Sequence, residues 1–286
     1  MNTRSQDTPL VSVLLTVHNG RSFIHDSVGS IMNQTFPGWE LIIIDDGSTD
    51  GTSDILDAIT DPRIHVHHYP RIGRTPALNI AAGLSRGEFL AIQDVDDISY
   101  PTRLEKQLAV LRKHPQVVLV ASDADVIDSQ ERLLYCWKAP SDGNEARISF
   151  SRLSSPYVHG SLMFRKNAFI VAGRYDERFV TTQDFDLITR LFSCGDFYAI
   201  PESLYVYRVH PKSITGMRWI HQIRSTIWIR TTLTKKIGMQ IRFSRVLILI
   251  LKRTVLMSML SLFPDLSHYL YRVRSRFMTG KSDTGH

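Results

Sequence analysis

Apolar and polar positions along this chain follow two alternating periods. Val11 to Val17 (VSVLLTV) is an unbroken, β-branched apolar run, suited to a strand buried on both faces. After His18-Asn19-Gly20 the period becomes helical, with Phe23, Val28 and Ile31 recurring behind Ser22, a helix-capping residue type, until Thr35-Phe36-Pro37-Gly38. Trp39 to Ile44 (WELIII) reads as a second strand, Asp50 to about Ile59 as a helix, and Ile64 to Tyr69 as a third strand. A helix with Pro76 in its first turn runs to about Ser85, and Glu88 to Gln93 is a fourth strand. Repeated strand–helix units predict an α/β fold around a parallel sheet with right-handed crossovers.

Beyond Pro101 the alternation is less regular. It predicts a helix over Thr102 to His114, strands at Val117 to Ala121, Leu133 to Trp137 and Ser161 to Phe164, and a helix over Asp184 to Phe192. Tyr205 to Val209 (YVYRV) has the aromatic and β-branched content of a further strand. From about Met217 the pattern is helical throughout. The 286 residues accommodate one α/β domain and an appendage, and 43% hydrophobic with 22% charged residues excludes wholesale disorder.

Charge divides the chain more sharply than its net +6 suggests. From Lys212 onward 14 Lys or Arg face two acids, Asp265 and Asp283, a balance of +12; the preceding residues carry −6. Such a basic segment contacts a polyanion or forms a solvated helical face. Its apolar runs, Val246 to Leu251 and Val255 to Phe263, are separated by Lys252, Arg253 and Thr254. Neither reaches the roughly 18 to 20 residues that span a bilayer. Joined, they would bury adjacent charges in hydrocarbon, a cost avoided by lying in the interface of an anionic membrane. A helical hairpin packed on the preceding domain is the alternative. Cys136 and Cys194 support neither a disulfide framework nor a zinc site, so a reducing compartment is expected. MNTRSQDTPL lacks an apolar core, and no cleaved secretory signal is expected.

In open parallel sheets, ligands bind beyond the carboxyl ends of the strands. Three strands end there in polar residues: Thr16 and His18, then Asp45 and Asp46, then Asp94, Asp96 and Asp97. Carboxylates so crowded repel unless cations or hydrogen-bond donors intervene, and oxygen ligands of this kind suit Mg²⁺ or Mn²⁺ bridging to a substrate diphosphate. Turn formation and helix capping are the structural alternative. Asp46 to Asp57 also spaces its acids somewhat like an EF-hand loop, but a strand enters it and Asp stands where a bidentate Glu belongs. His65, His67 and His68 read as a partly exposed strand face.

The segments VSVLLTVHNG, SIMNQTFPGWELIIIDDGSTDGT, ALNIAAGLSRGEFLAIQDVDD, YVHGSLMFRK, QDFDLITRL and YRVHPKSIT, in this order from Leu10 to Thr215, resemble a family 2 glycosyltransferase of GT-A fold. The resemblance implies a Rossmann-like mixed sheet flanked by helices. It also implies inverting, metal-dependent transfer of a sugar from a nucleotide-diphosphate sugar, most commonly a UDP-sugar. The acceptor would be a hydroxyl of a glycan or lipid-linked molecule in cell-surface polysaccharide synthesis. Thr16 and His18 match positions lining the base and ribose pocket. Asp46 matches the acid that bonds the base, with Asp45 beside it, and Arg74 (or Arg71) falls in a nucleotide-contacting region. Asp94-Val95-Asp96-Asp97 matches the DxD signature: Asp96 faces ribose or Mn²⁺/Mg²⁺, and Asp97 helps hold the metal. His210 matches a histidine reaching the metal or diphosphate. Asp184 matches the catalytic base, although Gln183 stands where the family usually has Glu; Asp186 or simple helix capping are the alternatives there. His159-Gly160 resembles a segment near the acceptor side, or serves a core turn.

These readings divide the chain into disordered ends (1–9 and 281–286), a catalytic domain (10–215) and a basic amphipathic helical tail (216–280). The tail would hold a cytoplasmic enzyme on the inner face of the cell membrane. One rival, a nucleotidyltransferase, calls for a glycine-rich basic N-terminal loop that VSVLLTVHNG lacks. The other, a nucleic-acid-binding protein using the tail, has no RNA-binding aromatic signature or zinc motif behind it, so no nucleic-acid partner is expected.

Overall fold

A computed structural model describes residues 8–151 and 156–210. The expected tail (216–280), the C-terminal end and most of residues 1–9 lie outside the described residues. Four apolar runs become β1 (Val11–Val17), β2 (Trp39–Asp46), β3 (Ile64–Tyr69) and β4 (Phe89–Asp94). They pair in parallel in the order β3-β2-β1-β4. The remaining strands are β5 (Ile98–Ser99), β6 (Val117–Ile127), β7 (Leu133–Trp137), β8 (Met163–Arg165) and β9 (Asp196–Arg208). The expectation of a parallel sheet holds only to β4. There the sheet continues as β8-β6-β9-β5, with β8 antiparallel to both β4 and β6, β9 parallel to β6, and β7 antiparallel to β6.

Strand alternation sends side chains to two helical layers. Val13, Leu15, Leu41, Ile43, Phe89 and Ala91 pack with α1 (Ile24–Met32), α2 (Thr52–Asp57) and α4 (Arg103–Lys113) through Ile24, Val28, Leu56, Leu104 and Leu108. Leu14, Ile42, Ile44, Leu90 and Ile92 face α3 (Arg74–Leu84), α6 (Lys166–Val171) and α7 (Gln183–Leu191). This two-sided burial explains why β1, β2 and β4 read as continuous apolar runs. A further helix, α5 (Gly143–Ser151), contacts β9.

Local details differ from expectation for physical reasons. Ser22 does not cap α1; the Gly20 carbonyl accepts the Phe23 and Ile24 amides instead, at 2.9 and 3.0 Å. The last strand begins nine residues earlier than Tyr205 because Pro201 and Glu202 fall in a register shift between Ile200 and Ser203, a place where a strand tolerates proline. Among the described residues no helix is long and apolar enough to cross a membrane.

Candidate active site

β1, β2 and β4 end side by side, with Thr16 in register between Ile44 and Asp94. Thr16 is nearly buried at this edge, while His18 is exposed and its Nδ1 donates to the Asp46 carbonyl at 3.0 Å. The carboxylates beyond these strands are held in two different ways.

After β2, the acids serve their own neighbourhood. Buried Asp45 accepts from the Ser48 amide (3.0 Å), the Ser53 hydroxyl (2.6 Å) and His68 Nδ1 (2.9 Å). Burial pushes its carboxyl up, but these hydrogen bonds outweigh burial and hold it below the usual range. The same contact raises His68, whose Nε2 also reaches Asp57 at 2.9 Å. Asp46 accepts from the Ile72 amide (2.6 Å), the Gly73 amide (3.1 Å) and Arg71, so its oxygens pin the turn into α3. Gly47 lies under that turn at φ 70°, and a Cβ there would stand 2.9 Å from the Arg71 nitrogen.

After β4, the acids draw partners from distant parts of the chain. Asp94 forms an ion pair with Arg74, and its amide donates to the Tyr205 hydroxyl at 3.2 Å. Room for that hydroxyl comes from Gly160, where a Cβ would lie 1.9 Å from it. Burial would raise the Asp94 carboxyl, but the Arg74 charge lowers it. Asp96 Oδ2 stands 3.0 Å from His210 Nε2, and the imidazole lies against the Phe23 ring with centroids 5.0 Å apart. Asp97 is buried, with Oδ1 accepting the Arg208 amide at 2.8 Å and Oδ2 without a hydrogen-bond partner among the described residues. Burial, then the charges of Asp96 and Asp94, push its carboxyl well above the usual range.

The donor set of this turn fits a divalent cation. Asp96 offers a carboxylate oxygen beside an imidazole nitrogen of His210, and the orphaned Asp97 Oδ2 lies in the same acid-rich turn. Among the described residues no group of three His, Cys, Asp or Glu side chains converges to hold a metal. Two protein ligands suffice for an ion that completes its shell with substrate phosphates and water. Asp97, bonded to the backbone of β9, is set apart from the Asp96–His210 pair.

The two acids of α7 separate cleanly. Asp186 is buried and ion-paired to Arg190 one turn on, and burial raises its carboxyl. Asp184 is half-buried, and its carboxylate has no hydrogen-bond or ion-pair partner among the described residues. Nor does it cap α7: Thr182 occupies that position at φ 68°, with no side-chain cap bond. Its charge acts on Arg74, His159 and Tyr175, which joins it electrostatically to the Asp94 cluster. α3 fixes the loop leading to it, through Thr75 Oγ1 on the Phe179 carbonyl (2.6 Å) and the Asn79 side chain on the Tyr175 backbone.

Sequence reasoning missed the residues that support these acids. Arg103, fully buried, bonds the Ser99 hydroxyl (2.7 Å) and the Ile92 carbonyl (2.8 Å) behind the second acid turn, and burial depresses it to about 10. Arg208 holds Asp97 through its amide and the Asp96 carbonyl through Nε at 3.1 Å. The basic residue just before Val209-His210 was visible in YRVH, but its partner lies 111 residues away. A separate surface cleft, lined among others by His114, Asp142, Arg147, Phe192 and Tyr198, sits at the opposite, amino-terminal ends of β6 and β9 and contains none of these residues.

Comparison with known proteins agrees with this fold. The pattern described as glycosyl transferase family 2 matches residues 12–171. The Bacillus subtilis glycosyltransferase EpsE is 32% identical over 77% of this chain and 81% of its own length. The B. subtilis teichuronic acid biosynthesis glycosyltransferase TuaG is 45% identical over 35% of this chain and 41% of its own length. The solved structure of S. aureus TarS 1-349 with UDP-GlcNAc superposes with a TM-score of 0.63 at 16% identity, covering 78% of this chain and 67% of that one. At that identity the likeness speaks for a shared GT-A fold. The family pattern covers more than half of this sequence, and the chain belongs to glycosyl transferase family 2.

Proposed function

We propose that this glycosyltransferase moves a sugar, with inversion, from a UDP-sugar to a hydroxyl of a glycan or lipid-linked acceptor in cell-surface polysaccharide synthesis. The carrying observation is Asp184, whose carboxylate has no partner among the described residues, while Asp186, two residues on, is consumed by Arg190. An acceptor hydroxyl is a poor nucleophile at neutral pH, so a carboxylate must take its proton as the new bond forms at the anomeric carbon. One base opposite the leaving group gives a single displacement with no covalent enzyme intermediate. Thr16, His18, Asp45, Asp46 and Arg74 would shape the nucleotide site at the strand ends, with Arg74 and Asp94 between it and the base. Asp96 and His210 would hold Mn²⁺ or Mg²⁺, with Asp97 behind them. Such an ion, when bound, supplies charge that offsets the departing diphosphate.

The donor class is supported by the TarS structures, solved with UDP and with UDP-GlcNAc, and the pathway class by TuaG, named for teichuronic acid biosynthesis. The basic, apolar-rich residues 216–280 would seat the enzyme on the anionic inner face of the membrane. The deciding experiment is Asp184→Asn. Transfer should fall by about 10²- to 10⁴-fold, the usual contribution of a positioned general base, while UDP binding stays near wild type. Full transfer activity would remove Asp184 from the role.

A further inference from the structure

His159 lies between Arg74 and Tyr175, and its partners determine where its proton sits. Nδ1 is 3.2 Å from Arg74 Nη2, and Nε2 is 2.9 Å from the Tyr175 hydroxyl. A guanidinium only donates, so Nδ1 must present its lone pair and the ring hydrogen must lie on Nε2, donating to the Tyr175 oxygen. Arg74 Nη2 carries two hydrogens, and its other partner is Asp94 Oδ1. One nitrogen is thereby fixed from two sides. Burial lowers the His159 pKa, in keeping with a neutral ring.

Tyr175 is itself immobilised. Its ring meets His159 edge-on at 5.8 Å and Phe169 at 5.4 Å, and its backbone nitrogen and oxygen are both bonded by Asn79 of α3, at 3.1 and 2.9 Å. Arg74 Nε, which is buried, and Nη1 have no hydrogen-bond partner among the described residues. Nη1 is the donor that an anionic oxygen would satisfy.

We propose that Tyr175 and His159 are positioning residues of the donor site. Arg74 sets the Nε2–H tautomer of His159, Tyr175 accepts that hydrogen and fixes the ring, and His159 holds Arg74 Nη2 against Asp94, so that Nη1 is oriented for the diphosphate oxygens of the donor. This rests on the reading of Arg74 as a donor contact. Loss of the Tyr175 hydroxyl frees His159 to move its proton to Nδ1, where it would oppose the guanidinium and release Arg74 from its place.

Two measurements on the full chain test the pair. In histidine-¹⁵N-labelled protein, with the signal assigned by its loss in His159→Asn, long-range ¹⁵N–¹H spectra should show the neutral Nε2–H form. In Tyr175→Phe the Nδ1–H form should gain population. Calorimetric titration with UDP in the presence of Mn²⁺ should show binding weakened about tenfold in His159→Ala and about threefold in Tyr175→Phe, as for loss of one hydrogen bond at or behind a charged group. His159→Asn, whose Oδ1 replaces Nδ1 as acceptor, should bind UDP close to wild type. If His159→Ala does not fold, the Asn and Phe variants carry the test, with thermal melting as the check on integrity. An imidazolium or an Nδ1–H wild-type ring overturns the proposal. So does normal UDP binding in both His159→Ala and Tyr175→Phe alongside a clear loss in Arg74→Ala. Normal binding in Arg74→Ala overturns instead the donor-contact reading on which the proposal stands.

Discussion

The acid turns after β2 and β4 are alike in sequence, short runs of aspartate following a buried apolar strand, and unlike in what they bond. Asp45 and Asp46 bond to Ser48, Ser53, His68 and residues 71–73, all within 28 residues of them. The second turn bonds to Tyr205, Arg208 and His210, more than 110 residues on, as well as to Arg74. The first turn ties together β2, α2, β3 and the turn into α3. The second joins the parallel half of the sheet to the mixed half, where β9 returns beside β6. The difference shows in protonation: hydrogen bonds hold Asp45 below the usual carboxylate range, whereas Asp97 lies well above it because burial and like charges act with little opposition. The first turn is satisfied by residues close to it in sequence. The second turn keeps Asp97 Oδ2 without a partner among the described residues, beside the paired Asp96 and His210.

The sharpest way to break this contrast is to remove the second turn's outward pair. Asp96→Ala or His210→Ala should weaken Mn²⁺-supported UDP binding by about 10- to 100-fold, the scale of losing a metal-site residue. Binding measured without divalent cation should change little. Equal losses with and without Mn²⁺ would show that these side chains do not act through a metal.

A smaller effect, on a different observable, belongs to the first turn. Asp45→Asn leaves the Ser48 and Ser53 donors and His68 facing a neutral amide in a buried position. It should reduce stability by about 1–3 kcal/mol in urea unfolding, the range for disturbing a buried hydrogen-bonded group. Affinity for UDP should fall less than in Asp96→Ala. The opposite ordering, with Asp45→Asn stable but unable to bind UDP, would merge the two turns into one kind of site.

Sequence patterning reached the half of the fold in which burial is two-sided. β1, β2 and β4 need apolar residues at every position, and such runs stand out along a chain. β9 does not: its residues alternate between buried and exposed, Pro201 interrupts it, and only a register shift against β6 lets it continue. The six-residue α6 is too short for a periodic signal. Within the site, acids at a strand end marked Asp94 and Asp96, and the family resemblance marked Asp184 and His210. Neither marked Arg103, Tyr175 or Arg208, which look like ordinary helix, loop and strand residues until the fold brings them against the acids. Nor could residue type separate Asp184 from Asp186, since the distinction is made by Arg190 one helical turn away.

The smallest expected effect concerns pH and the His68 bridge. Contact with Asp45, and then Asp57, raises the His68 pKa above its ordinary 6.5, so the folded protein binds this proton more tightly than the unfolded chain. The resulting stability is complete below about 6.5, the unfolded value, and is lost as pH rises through the higher folded value. Asp45 behaves in the opposite sense: its pKa is depressed, so its contribution is complete above about 3.9 and is lost as pH falls through its lower folded value. Both contributions are therefore in force between roughly pH 4 and 6.5. The His68 side chain is 41% exposed, and solvent screening keeps its share below about 1 kcal/mol. Urea unfolding of wild type and His68→Gln at pH 6.0 and 8.5 reads the difference directly. The wild type should be the more stable at pH 6.0, and the gap should narrow at pH 8.5. A gap that is unchanged or wider at pH 8.5 would mean that the charge of His68 does not supply the stability assigned to it.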